Sequence, residues 1–353
     1  MSGRPDMGEI KDPKGFEYYR ALFVERDTYF KTYEERRKKF DEVTASQAAR
    51  RREFEDSLSE EISETRAALS EVSPISEEDV ADIPMSRAAY TDRMGAVLAK
   101  LSLLSYIAFE QETHAGVLQQ TIESGGLKLV AKWAVGDTEA YLAEAPNFLA
   151  VAFRGTTDAR DRKTDFRVSV QRVQIEGHDM HVTVHDGFYD AFRLVEPLVR
   201  EALLATPDKP IFLTGHSLGG ALALVASAAL AGQDILGGRI AAVYTFGAPR
   251  VGGESFARVV KAPHYRIVNE GDMVPLVPPN WLNGYRHNGE LLLLRRGAIH
   301  PVRTRPWLST ILLALRGLVL WPLSKSLLFA RRHAISLYAS RLEVIARERG
   351  KWS

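Results

Sequence analysis

One serine sits between two glycines in PIFLTGHSLGGALALVASAAL, residues 210–230, where a short apolar run gives way to a long Ala/Leu-rich one. Gly215-His216-Ser217-Leu218-Gly219 fits G-x-S-x-G; the residues before it read as a strand and those after it as a helix. A serine at the tip of so sharp a turn needs small neighbours, because flanking side chains would clash there. Ser217 then projects its hydroxyl above the sheet edge, with the N-terminus of the following helix directed at the reacting centre. The chemistry this suits is nucleophilic attack. A hydroxyl is a poor nucleophile near neutral pH, so it requires a base and a group that orients the base.

In a strand–turn–helix setting of this kind the chain order is serine, acid, histidine. The acid lies in YRIVNEGDMVPLVPP, residues 265–279, where a strand runs out at Val268-Asn269. Asp272 falls in the loop at the C-terminal end of that strand, the side on which such sheets build their sites. Glu270 is its competitor. Three histidines follow, His287, His300 and His333. Loop lengths are free here, so spacing does not choose among them.

The elements that must position these groups are legible as texture. LKLVAKWAV, EAYLAE and NFLAVAF read as strands and VHDGFYDAFRLVEPLVREALLA as an amphipathic helix; further strands lie in IFLTG, RIAAVYTFGAP and YRIVNEGD. Near-continuous apolar strands alternating with helices predict an α/β fold with a mostly parallel sheet covered by helices on both faces. Residues 1–84 form a helical N-terminal extension and linker in this reading, and 85–353 the main domain. The stretch 16–69 contains no Gly or Pro and is dense in Glu, Arg and Lys. Phe16, Tyr19, Phe23, Phe30, Tyr33 and Phe40 fall near a heptad seam that Arg26 and Arg37 interrupt. It reads as an arm packed on the main domain, or as a surface for self-association or a protein partner. EVSPISEEDVADIP, 71–84, reads as a linker.

Composition narrows the function classes. The 353 residues carry 46 Lys and Arg against 45 Asp and Glu, so no global field favours nucleic acid. The absence of cysteine excludes disulfides, thiolate catalysis and Cys-ligated metals. MSGRPDMGEIKDPKGF has no apolar core of signal-peptide type. The expectation is a cytoplasmic protein, peripheral on a membrane at most, with leaderless export left open. His178 and His181 in H-D-M-H are too closely spaced for a convincing metal site and read as loop.

VAFRGTT (151–157), VHDGF (184–188), GHSLGG (215–220), YTFGAPRVG (244–252) and VNEGDMVPLVPP (268–279) together resemble the class 3 lipase family. The resemblance runs from about Ala88 to Leu342 and implies an α/β-hydrolase fold. It also implies two histidine blocks after the acid. One is His287-Asn288-Gly289-Glu290. The other is His333, followed by Tyr338 and Leu342. The later histidine serves as base in the family, which assigns His333 and leaves His287 as the alternative. Arg332 departs from the pattern, since the family often has Asp there. Leu218, directly after the nucleophile, supplies one oxyanion N–H by geometry; by resemblance Thr156 supplies the second. Arg154 is expected to brace that loop and Asp165 to be structural. His216 is expected to point away from the site, and His185 to pack.

WLSTILLALRGLVLWPLSKSLLFA, 307–330, is the most apolar stretch of the chain. Arg316, Gly317, Pro322 and Lys325 interrupt it, so it does not read as a membrane span. Flanking arginines and the internal Trp307 and Trp321 suit a membrane or lipid-droplet interface, and burial against the N-terminal arm is the alternative. The functional expectation is a serine hydrolase acting on carboxylic esters of lipids, of acylglycerol lipase type, needing no metal or organic cofactor. Phospholipid or small-ester hydrolysis is the alternative, and a non-catalytic scaffold or signalling module on the same fold the second.

Overall fold

The computed structural model describes residues 67, 69–81, 83, 89–107, 112–155, 169–232, 234–281, 283–295, 302–303 and 332–350. The arm expected over 16–69, apart from Ala67 and Leu69, lies outside them, as do Thr156, Asp165, His300 and the apolar stretch 307–330.

Helix α1 (Asp92–Leu104) begins at Thr91, whose side chain caps the Met94 N–H. Helix α2 (Glu112–Ser124) leads into strands β1 (Lys128–Val135), β2 (Thr138–Glu144) and β3 (Leu149–Phe153). A hairpin of β4 (Val170–Gln174) and β5 (His181–His185) precedes α3 (Asp186–Leu204). Then come β6 (Ile211–His216), α4 (Leu218–Ala231), β7 (Ile240–Phe246), α5 (Glu254–Val259), β8 (His264–Asn269), β9 (Glu290–Leu294), β10 (Val302–Arg303) and α6 (Ile335–Gly350). The main sheet has the order β1-β2-β3-β6-β7-β8-β9-β10. Its centre, from β3 to β9, is parallel, and its margins are antiparallel. This is the α/β-hydrolase arrangement.

Both faces are covered, which is why the central strands read as unbroken apolar runs. Leu149, Val151 and Phe153 of β3 pack with Phe188 and Phe192 of α3 and with Leu222 and Val225 of α4. Their alternates Ala150 and Ala152 pack on the other face with Leu98 and Leu101 of α1 and Tyr338 and Leu342 of α6. Helix α4 is buried along nearly its whole length, as its all-round apolar sequence requires. Helix α3 buries the apolar stripe Phe188, Phe192, Val195, Val199 and Leu203, together with Glu196; each apolar side chain is worth about 2 kcal/mol of transfer free energy.

The segment 71–84 is not a free linker. Ser76 and Asp79 form a reciprocal capping box around the single turn Glu77–Val80. Val72, Ile75, Val80 and Ile83 are buried in the same cluster as α1 and α6. The Lys100 ammonium lies 3.2 Å from Asp79 and 3.3 Å from Glu343, tying the segment and α6 to α1.

Candidate active site

The turn after β6 is built as its glycines require. Ser217 has φ 55° and ψ −127°, a region a side-chain-bearing residue occupies at a cost of about 1–3 kcal/mol. The Ser217 N–H donates to the Phe246 carbonyl at 3.0 Å, and the Gly220 N–H to the Ser217 carbonyl at 3.1 Å, and these hold the strain. A Cβ at Gly215 would strike the Gly219 backbone, and one at Gly219 would strike the Phe153 carbonyl at the end of β3. The glycines thus let the turn sit directly against the neighbouring strand.

The structure brings Ser217, Asp272 and His333 together from well-separated parts of the chain. His333 Nε2 lies 2.9 Å from Ser217 Oγ, and its Nδ1 lies 2.9 Å from Asp272 Oδ2. An ionised carboxylate only accepts, so Nδ1 carries the proton and Nε2 is left bare to accept from the serine hydroxyl. Asp272 is fully buried. Its Oδ1 accepts the Val274 N–H at 3.0 Å, and its Oδ2 also accepts the Tyr338 hydroxyl at 2.6 Å. Burial first, and the Asp272 charge second, push the Tyr338 phenol well above its ordinary range. It therefore stays protonated and remains a donor. Gly247 follows β7 with φ 59°, and a Cβ there would lie 2.6 Å from Asp272 Oδ2 and 3.1 Å from His333 Cε1.

The competing residues go elsewhere. Asp272, not Glu270, meets the imidazole; the Glu270 N–H donates to the Leu294 carbonyl. His287 is half-buried and donates from Nε2 to the Pro275 carbonyl at 2.7 Å. Burial, then the charges of Arg266 and Arg250, hold it well below the ordinary histidine range, so it stays neutral. Arg154 does brace its strand end, its guanidinium 2.7 Å from Glu139. His185 stacks on Phe188 with ring centroids 3.9 Å apart. Arg332 lies against Gly271, in the space a side chain there would need. Leu218 is the first residue of α4.

His216 does not point away from the site. It is buried, its Nε2 lies 2.6 Å from the His333 carbonyl, and the two imidazole rings are 4.5 Å apart. Two other residues were given no role in the sequence reading. Asn269, fully buried at the end of β8, donates its N–H to the Tyr338 hydroxyl at 2.9 Å and its Nδ2 to the Arg332 carbonyl at 3.2 Å. Its Oδ1 accepts from Arg341 at 2.8 Å. Asn269 thus ties the segment carrying His333 to the strand that leads into the Asp272 loop. The available signal was a polar residue ending an otherwise apolar strand just ahead of the acid. Tyr338 was named only as a member of the resemblance's later histidine block.

The arrangement can deprotonate a hydroxyl and stabilise the resulting imidazolium. Residues 150–281 match the class 3 lipase family model. A lipase of Rhizopus niveus is 32% identical over 187 residues, 48% of this chain and 45% of that protein. A lipase of Rhizomucor miehei is 33% identical over 177 residues, covering 46% and 47%. Secreted mono- and diacylglycerol lipase 1 of Fusarium solani is 35% identical over 157 residues, covering 42% and 45%. The chain thus spans about half the length of the curated relatives it matches. Among solved structures, the triacylglyceride lipase of Rhizomucor miehei superposes with a TM-score of 0.52 at 25% identity, over 62% of this chain and 86% of that one. A triacylglycerol lipase whose catalytic centre is described as a serine protease triad gives 0.50 at 26%, over 61% and 85%.

Proposed function

Residues 150–281 match the class 3 lipase family model, and from that match we propose that the chain is a serine hydrolase of this family that cleaves carboxylic esters of lipids. One observation carries the proposal: His333 bridges Ser217 Oγ and Asp272 Oδ2 at 2.9 Å on each side. His333 removes the hydroxyl proton as Ser217 attacks the ester carbonyl. Asp272 holds the imidazole and stabilises its cation. The N–H of Leu218, and that of Thr156, receive the oxyanion; losing one such donor lowers turnover by about 10²–10³-fold. His333 then protonates the departing alcohol and activates the water that releases the fatty acid from Ser217. No step calls on a metal or an organic cofactor.

The likeness to a mono- and diacylglycerol lipase and to a triacylglyceride lipase favours acylglycerols over phospholipids or small soluble esters. In the same reading 307–330 docks the enzyme on a membrane or droplet surface, 16–69 serves self-association or a protein partner, and the protein acts in the cytoplasm. Among the described residues no helix is long and apolar enough to cross a membrane.

The experiment is release of acyl product by wild type and Ser217→Ala. The panel holds p-nitrophenyl esters of increasing chain length, a triacylglycerol emulsion and phospholipid liposomes. Turnover by wild type on long acylglycerol esters, abolished in the variant, is the expected result. A folded wild type inactive on the whole panel overturns the proposal in favour of a scaffold.

A further inference from the structure

We propose that His216 and Tyr106 form a positioning pair that holds the base His333 in register with the nucleophile and with the loop leading to Thr156. The inference rests on the reading of Ser217, His333 and Asp272 as a hydrolase site. The hydrogen bonding admits one assignment for a neutral imidazole. The main-chain carbonyl of His333 can only accept, so His216 Nε2–H donates to it across 2.6 Å. His216 Nδ1 is then the acceptor for the Tyr106 hydroxyl at 2.7 Å. The two anchors on His333 are thus separate. Asp272 fixes the ring through Nδ1, and His216 fixes the backbone from which the ring projects. The two rings lie 4.5 Å apart with planes 38° off parallel, so His216 also limits the swing of the base.

Tyr106 extends the device to the other side of the site. It follows the end of α1 by two residues. Its hydroxyl, together with the His216 carbonyl, occupies the space a side chain at Gly155 would need. Gly155 immediately precedes Thr156. His216 is itself bonded covalently to the nucleophile, so the pair touches the neighbour of Ser217, the backbone of the base and the approach to the second oxyanion donor. A residue needed only to fill space here would be simpler as an apolar one, since a buried imidazole demands partners for both nitrogens. His216 is 5% exposed and has both.

The test is steady-state hydrolysis of a p-nitrophenyl ester by wild type, Ser217→Ala, His216→Leu, His216→Gln and Tyr106→Phe, with thermal melting of each. His216→Leu should lower kcat about 100-fold with KM within about 2-fold, the size of effect that misplacing a reacting group produces. His216→Gln, whose amide can still donate to the His333 carbonyl, should recover about 10-fold of that loss. Tyr106→Phe keeps the ring and loses only the hydroxyl, and should lower kcat about 5-fold at unchanged KM. It carries the test if His216→Leu does not fold. Folded His216→Leu at wild-type kcat, Gln no better than Leu, or Tyr106→Phe at wild-type kcat would each overturn the pairing while leaving the hydrolase reading intact. Wild type without turnover, or turnover surviving in Ser217→Ala, would overturn both.

Discussion

Asp272 Oδ2 accepts two hydrogen bonds at once, from His333 Nδ1 at 2.9 Å and from the Tyr338 hydroxyl at 2.6 Å. Asp272 is therefore held by a residue of α6, the helix that begins two residues after His333.

Tyr338→Phe should lower kcat about 10-fold, the equivalent of one hydrogen bond to a charged group. It also removes the acceptor of the buried Asn269 N–H, so stability should fall by about 1–3 kcal/mol. Ester kinetics and urea denaturation read the two effects separately. A variant with wild-type values in both would show that the tyrosine merely packs.

Gly247→Ala should be nearly inactive. Its Cβ would come 2.6 Å from Asp272 Oδ2 and 3.1 Å from His333 Cε1, and the residue already has φ 59°. Displacing either group by about 1 Å costs on the order of 100-fold in rate. The measurement is kcat alongside circular dichroism, to separate a displaced triad from an unfolded chain.

His264 and His287 should make the fold acid-sensitive. Burial, then the Arg266 charge, lower His264 to about 3, and His287 moves the same way. In the unfolded chain a histidine titrates near 6.5, so below that pH the unfolded state binds protons the native state refuses. The contribution is complete above about pH 6.5 and is lost as pH falls towards the folded value, by about 1.4 kcal/mol per pH unit for each such histidine. Urea midpoints between pH 7.5 and 4.5 measure the slope, and His264→Gln should flatten it. A wild-type midpoint independent of pH would contradict the argument.

Trp307→Ala combined with Trp321→Ala should weaken binding to liposomes with little effect on hydrolysis of a short soluble ester. Aromatic rings and flanking cations anchor apolar segments at lipid interfaces. Unchanged co-sedimentation with liposomes would remove the interfacial role proposed for 307–330.

Legibility in the sequence followed how local the cause was. Ser217 could be read because strand, glycine turn and helix are contiguous, and the same contiguity located Asp272 at a strand end. His333 could not be read from spacing, because it lies 61 positions after Asp272 and the sequence alone does not set the loop lengths between them; resemblance pointed to it. His216 was misread because its direction is fixed by Tyr106 and the His333 carbonyl, 110 and 117 positions away. Asn269 was missed for the same reason. The linker reading of 71–84 failed because Val72, Ile75, Val80 and Ile83 are scattered among acids and prolines and show no period. Their burial in one cluster with residues of α1 and α6 is a tertiary fact.

The most direct test is covalent. The protein is incubated with a p-nitrophenyl alkylphosphonate and the adduct located by mass spectrometry in wild type, His333→Ala and His287→Ala. A single adduct on Ser217 is expected in wild type and His287→Ala, with labelling of His333→Ala slower by about 10³-fold or more. An unlabelled Ser217 in folded wild type, or rapid labelling of His333→Ala but not of His287→Ala, would contradict the assignment of His333 as the base that activates Ser217.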